Sequence, residues 1–140
     1  EFLIKAGTTQ NNLYPRLIDK GGYVVHLSQT APYSMVLNIQ TSEGLRQCVA
    51  YPLDMGEWSH LVFTYNGTQS SIYKNGVVVG STSWASSLSC DVGTSAAKLG
   101  DAGTSTRNFN GNMAFSRIYN KVLTPIEILQ NYNAIKSKFK

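Results

Sequence analysis

Acidic residues are scarce in this 140-residue chain, which has only eight, and charged residues of both signs make up 14%. The acids are Glu1, Glu43, Glu57, Glu127, Asp19, Asp54, Asp91 and Asp101. No two stand at alternate positions, the spacing by which one strand commonly delivers two carboxyl groups about 5–5.5 Å apart for retaining glycoside hydrolysis. Asp54 and Glu57 are close, but the Met-Gly between them reads as a turn before a strand. A Gly-x-Ser-x-Gly elbow is also lacking. The expectation is a protein that is not an enzyme.

A basic stripe is missing as well. Net charge is +4, yet Lys136, Lys138 and Lys140 fall in the last five positions, and the rest of the chain is nearly neutral. A nucleic-acid binder is expected to carry basic residues interleaved with aromatics on its folded face, so nucleic acid is not an expected partner. The C-terminal lysines read as a solvated tail. No apolar run approaches the ~20 residues of a membrane span, which argues against membrane insertion. There are only two cysteines, Cys48 in "LRQCVAY" and Cys90 in "SSLSCDVG". They either form one bridge tying a loop to a sheet or remain reduced as small buried hydrophobes. His26 and His60 have no zinc-like spacing to them.

What is present is strand pattern. Runs at 1–6, 14–20, 23–28, 34–40 and 46–51 precede three runs at 58–65, 70–74 and 77–81, and two more follow at 96–101 and 110–120. Gly, Pro, Asn or Ser separates nearly every pair, which predicts an all-β sandwich or barrel. Asn66-Gly67 and Asn75-Gly76 supply the positive φ angles of tight hairpin turns. Several strands are apolar on both faces: Leu61, Phe63 and Tyr65 oppose His60, Val62 and Thr64, and Trp58 and Phe63 are expected in the core. One helix is predicted from about Pro125, with Thr124 as N-cap, Glu127 completing a capping box, and an apolar stripe of Ile128, Tyr132, Ile135 and Phe139.

Read together, "MGEWSHLVFTYNGTQSSIYKNGVVVG" and "KLGDAGTSTRNFNGNMAFSRIYNKVLTPIEILQNYN" resemble the laminin-G-like, concanavalin-A-like domains of the large lectin/glucanase superfamily. The resemblance rests on Trp58 and His60, Tyr73 through Gly76, Leu99-Gly100, Phe109 to Gly111, Ile118-Tyr119-Asn120, and Leu123 to Ile128. It implies an all-β, two-sheet antiparallel jelly-roll sandwich with one short C-terminal helix, spanning 1–140 as a single domain. It also implies that the chain is a fragment of a larger protein that lacks part of its first strand. The Glu-x-Asp-x-x-Glu arrangement of the related glucanases is absent. Glycan or protein binding is the activity the resemblance implies, in an extracellular, cell-surface or viral-particle setting beside other domains of the parent protein.

Sugar sites combine aromatic faces with amide or carboxylate groups that meet the hydroxyls. Tyr33 in "QTAPYS" and Trp84 in "STSWASS" are the candidate aromatics, and Asp101, Arg107, Asn108 and Asn110 in "GDAGTSTRNFNGN" the candidate polar partners. Trp84 is either an exposed platform or a loop anchor folded onto the core. Asp101 with Asn110 or Asn112 could supply oxygen ligands for calcium, although many members of the family carry Asp where this chain has Asn112. The reading from a different class is a structural or adhesion module with no small-molecule site. Asn66-Gly67-Thr68 also forms an N-glycosylation sequon, which the turn explains without a glycan.

Overall fold

The computed structural model describes residues 1–10, 13–50, 52–103 and 106–139. Tyr51, at the end of one expected run, and Lys140, in the basic tail, lie outside the described residues. Ten strands are followed by one helix: β1 (Phe2–Ala6), β2 (Arg16–Asp19), β3 (Tyr23–Leu27), β4 (Met35–Thr41), β5 (Gly44–Ala50), β6 (Trp58–Tyr65), β7 (Gln69–Lys74), β8 (Val77–Ser83), β9 (Lys98–Leu99), β10 (Gly111–Ser116) and α1 (Pro125–Ile135). They form two five-stranded antiparallel sheets, ordered β10-β1-β6-β7-β8 (sheet A) and β5-β4-β3-β2-β9 (sheet B). The jelly-roll sandwich expected from the sequence is present.

Alternation builds the core. Phe2, Ile4, Ala6, Leu61 and Ile72 of sheet A face Ile18, Val25, Leu27, Met35, Leu37, Ile39 and Cys48 of sheet B, all buried. The sheets approach most tightly where β8 passes β5: a side chain at Gly80 would begin 2.7 Å from the carbonyl oxygen of Val49. At the β7–β8 turn, Asn75 and Gly76 have φ of 52° and 83°, as a two-residue hairpin with primed geometry requires. The other Asn-Gly pair behaves differently. Asn66 opens a three-residue loop in which its Oδ1 accepts from the amides of Thr68 and Gln69 at 3.0 and 2.7 Å. The side-chain oxygen thus does what a second positive φ would have done in a tighter turn.

Other expectations need trimming. The run at 96–101 yields only the two-residue β9, and the one at 110–120 is strand only to Ser116. Trp58 and Phe63 are half-buried rather than fully in the core. Trp58 lies on the outer face of sheet A against Phe139, with ring centroids 5.2 Å apart, and Phe63 meets Phe2 edge-on at 6.0 Å. Cys48 and Cys90 are unbridged, so the reduced alternative holds.

The helix forms as its start signals require: the Glu127 amide donates to Thr124 Oγ1 at 3.2 Å, and the Thr124 amide to Glu127 Oε2 at 2.8 Å. It lies on the outer face of sheet A. Ile128 is wholly buried against Val62 and Leu123, and the Tyr132 ring stacks on His60 at 5.9 Å. Phe139, the last residue of the stripe, makes its contact from beyond the helix end. No helix among the described residues is long and apolar enough to cross a membrane.

Candidate functional site

The one helix among the described residues covers sheet A, and none crosses the outer face of sheet B. Strand alternation places Gln47 of β5, Asn38 of β4, His26 of β3 and Arg16 of β2 on that face. Asn38 is opposite Gln47, and Arg16 is opposite His26. A directed chain of hydrogen bonds runs through three of them. Gln47 Nε2 donates to Asn38 Oδ1 at 2.9 Å, and Asn38 Nδ2 donates to His26 Nε2 at 3.1 Å. His26 Nδ1 donates to the Leu27 carbonyl at 2.8 Å, which fixes the neutral tautomer with Nε2 as acceptor. Burial pushes the His26 pKa down; the Leu27 bond works against that, while the charges of Arg16 and Arg107 reinforce it. The imidazole is therefore an uncharged relay.

At one edge of this row Arg16 is buried, its Nε 3.4 Å from Asp19 Oδ2 in an ion pair that lacks hydrogen-bond geometry. Its amide donates to the Arg107 carbonyl at 3.0 Å, which brings the 100–110 loop alongside β2. Tyr14 meets His26 edge-on at 5.6 Å, and 41% of its surface stays exposed. The Tyr14 backbone has a φ of 53°, a left-handed conformation that costs a residue with a side chain roughly 1–3 kcal/mol. The row thus joins amides, a neutral imidazole, one guanidinium and an exposed ring.

Of the residues singled out from sequence, Arg107 borders this row, and Asp101 and Asn108 belong to the same loop, whose ends are joined by the Phe109 amide donating to the Gly100 carbonyl. Tyr33 and Asn110 meet at a neighbouring corner through Gln10. The Tyr33 hydroxyl lies 3.2 Å from both backbone polar atoms of Gln10, whose Nε2 donates to the Asn110 carbonyl at 2.6 Å. Trp84 is elsewhere. Tyr33 lies just before the first residue of the seven-residue β4, whereas Trp84 contacts Arg46, paired with Ile39 near the strand's other end. That strand spans roughly 20 Å, so Trp84 and Tyr33 do not share a surface.

Trp84 is half-buried, with the Arg46 guanidinium 5.1 Å from its ring centre and Tyr65 edge-on at 6.3 Å. Arg46 is itself buried. It donates to the Tyr65 hydroxyl at 3.0 Å and to the carbonyl and hydroxyl of Ser86 at 2.9 Å each. The indole thus lies against a buried cation. Sequence reasoning missed Arg46, though alternation with Cys48 and Ala50 puts it on the inward face of β5. It missed Arg16, Asn38 and Gln47 because a polar residue on a strand reads as ordinary solvent face.

The residues named for calcium do not fit it. Asn110 uses its carbonyl on Gly7 and Gln10 and its Nδ2 on Thr9, while Asn112 stands opposite Lys5 in β10. Asp101 is the only carboxylate of the three. Among the described residues no group of three or more His, Cys, Asp or Glu side chains converges as metal ligands. A cleft of about 400 Å³ opens between the sheets past Phe2, Phe63, Tyr65, Tyr23 and Ile39 to a rim carrying Arg117 and Lys121. Its walls are mostly apolar, which suits a hydroxyl-rich ligand poorly.

Comparison with known proteins adds a family and a fold. A sequence model described as the concanavalin A-like lectin/glucanases superfamily matches residues 4–129. No curated protein matches by sequence. Among solved structures, a candidate carbohydrate binding protein from Bacteroides ovatus superposes with a TM-score of 0.71 at 18% identity, over 92% of this chain and 38% of that one. The binding domain of Paraclostridial Mosquitocidal Protein 1 gives 0.64 at 17% identity, over 95% and 36%. The botulinum neurotoxin serotype C1 binding domain gives 0.60 at 16% identity, over 96% and 35%. The chain thus spans little more than a third of each of these structures, and the likeness at such identities is one of fold.

Proposed function

Because the chain belongs to the concanavalin A-like lectin/glucanase superfamily, we propose that it is a non-catalytic carbohydrate-binding module whose saccharide lies along the outer face of sheet B. The observation that carries this reading is the directed bond chain from Gln47 through Asn38 to His26. Its bonds all run one way, so Gln47, which is exposed, keeps its amide oxygen and a second N–H for a ligand. A sugar hydroxyl both donates and accepts, and a primary amide meets it in kind. The exposed Tyr14 ring offers an apolar surface beside these groups, as the less polar face of a pyranose requires.

Asp101, Arg107 and Asn108 of the adjoining loop remain candidate partners for the ligand, while Tyr33 packs against the core with its hydroxyl on the Gln10 backbone. Calcium has no step in this binding. A polyhydroxylated ligand, the few surface charges and superfamily membership together favour an extracellular or surface setting, within a larger parent protein. A structural or adhesion module that binds another protein is the alternative.

Glycan-array screening of the domain, followed by titration of the best ligand, tests the reading. Gln47→Ala and Asn38→Ala should each weaken binding about tenfold, equivalent to about 1.4 kcal/mol, with Trp84→Ala leaving the folded protein's affinity unchanged. If no glycan binds, or if only the Trp84 variant loses affinity, the sheet B site is wrong.

A further inference from the structure

Independently of the sheet B site, we infer that the inter-sheet cleft is a strand-shaped slot in sheet A, filled in the parent protein by the extended segment joined immediately ahead of Glu1. Both neighbours of β1 run on past its first residue. β1 pairs with β6 only from Trp58 to Leu61, whereas β6 continues to Tyr65 and holds β7 along its other edge from Leu61 onward. On the opposite side β10 meets β1 as far as Ser116, one further pair joins Glu1 and Arg117, and the chain then runs on through Ile118 to Asn120. The cleft lies between these two flanks. Val62 to Tyr65 line one side, Arg117 to Asn120 the other, and Tyr23 and Ile39 of sheet B the floor, with Glu1 at the end where β1 stops.

The direction of the main-chain groups says what the slot needs. The Asn75 amide donates to the His60 carbonyl at 2.8 Å and the Asn66 amide to the Gln69 carbonyl at 3.1 Å, so His60 and Asn66, with Val62 and Thr64 between them, turn toward β7. Leu61, Phe63 and Tyr65 therefore turn toward the β1 side. Leu61 meets Phe2 there, but among the described residues no strand stands opposite Phe63 or Tyr65. Glu1 points the other way, its nitrogen and carbonyl bonded to Arg117 at 2.9 and 2.8 Å. The residue ahead of Glu1 would then face Phe63, the next Tyr119, and the one before that Tyr65. Side chains alternate in step: Phe2 is in the core, while Glu1 lies outside it on His60 and Asn131. The positions facing Phe63 and Tyr65 thus point inward and call for apolar residues. An acyl chain or a flat ring would fill the volume but leave the main-chain groups of Phe63 and Tyr65 unmade, which buried backbone seldom tolerates. A strand meets both needs. Its line continues that of β1, so a segment of the same polypeptide fits directly, whereas a separate peptide would have to stop against the Glu1 nitrogen. The preceding part of the parent protein is thus attached through sheet A rather than by a free linker.

Residue-resolved hydrogen exchange tests the slot, first on the 140-residue protein. The Phe63 and Tyr65 amides should exchange roughly tenfold or more faster than that of Leu61. Three versions then carry a short extension ahead of Glu1: Val-Thr-Val, the alternation-swapped Thr-Val-Thr, and Val-Thr-Pro, whose last residue has no N–H for the Phe63 carbonyl. Val-Thr-Val should slow both amides roughly tenfold, slow alkylation of Cys90 on the cleft wall and raise the melting temperature by roughly 3 °C, and the other two should do less. Slow exchange at both amides without any extension, or equal effects of all three extensions, would overturn the slot. The deciding arm repeats the exchange measurement on the parent protein, where both amides should be protected. Free exchange there would overturn the assignment to the upstream segment, even if a separate peptide fills the slot of the isolated domain.

Discussion

The outer faces of the two sheets are made from the same strand alternation and put to opposite uses. On sheet A the face is closed: Ile128, Leu123 and Val62 pack together, Tyr132 covers His60, and Phe139 covers Trp58. Several of its polar groups meet in one cluster, although the buried Nδ1 of His60 has no partner among the described residues. The buried Glu1 carboxylate lies 2.9 Å from His60 Nε2, 3.1 Å from Asn131 Nδ2 and 3.3 Å from Arg117, and accepts from the Tyr119 hydroxyl as well. On sheet B the polar groups are joined in a line that remains open to solvent at Gln47. A face whose hydrogen bonds close on themselves contributes to stability. One whose chain ends at solvent retains capacity for a ligand.

The contrast is sharpest in the effect of truncating Ile128. Ile128→Ala should cost about 2–5 kcal/mol, as for other buried aliphatic residues cut to Ala, with glycan affinity of the folded fraction unchanged. Denaturant melts and titration of the same variant check this. A loss under 1 kcal/mol would show that the helix does not close sheet A.

Acid should act on the same face. Burial alone would raise the Glu1 pKa, but its hydrogen bonds to His60 and Tyr119, and the positive charges nearby, bring it from 4.5 down to about 2. A depressed carboxyl stabilises fully above its unfolded value. This contribution is therefore complete above pH 4.5 and fades as pH falls toward 2, by roughly 3 kcal/mol in all. Stability measured from pH 5 to 2 should fall more steeply in the parent than in Glu1→Gln. Parallel curves would mean that the cluster carries no such linkage.

Smaller effects separate the Trp84 corner from the sheet B row. Trp84→Ala should cost roughly 2 kcal/mol, about half the loss from truncating a core Trp, because it uncovers Arg46. Replacing Asn38 by Ala should cost only about 1 kcal/mol of stability, the net worth of an ordinary hydrogen bond, yet weaken binding tenfold. A thermal-shift series on both variants, with and without ligand, orders these effects. The comparison of faces breaks if Asn38→Ala destabilises more than Ile128→Ala.

Much of the fold was legible because each element's signal is local. The capping box of Thr124 and Glu127, the Asn75-Gly76 turn and the alternation of β4 are read from neighbours a few residues apart. Phe63 does pack against the core, though only half-buried, whereas Trp58 lies on the outer face, because apolarity on both faces of β6 does not say what covers each face. Trp58 is covered in part by Phe139, 81 positions away in sequence. Of the candidate site, the 101–110 loop was found from composition, whereas the row it borders was not. Asn38, Gln47 and Arg16 matter only through register, which brings three separate strands side by side. Trp84 illustrates the same limit: a ring amid small residues looks bare until Arg46, brought in by another strand, is placed beneath it.

The two unbridged thiols differ in a way that has an experimental use. Cys48 is fully enclosed between the sheets, whereas Cys90 is half-buried and stands on the wall of the inter-sheet cleft, its Sγ 3.4 Å from the Gly22 carbonyl. Burial pushes both thiols above their ordinary pKa, so alkylation of either at neutral pH is slow. A maleimide dye given time would nevertheless mark one position and spare the other without any engineered cysteine. Fixed at the mouth of the cleft, that dye becomes a gauge of how far the two layers part from one moment to the next.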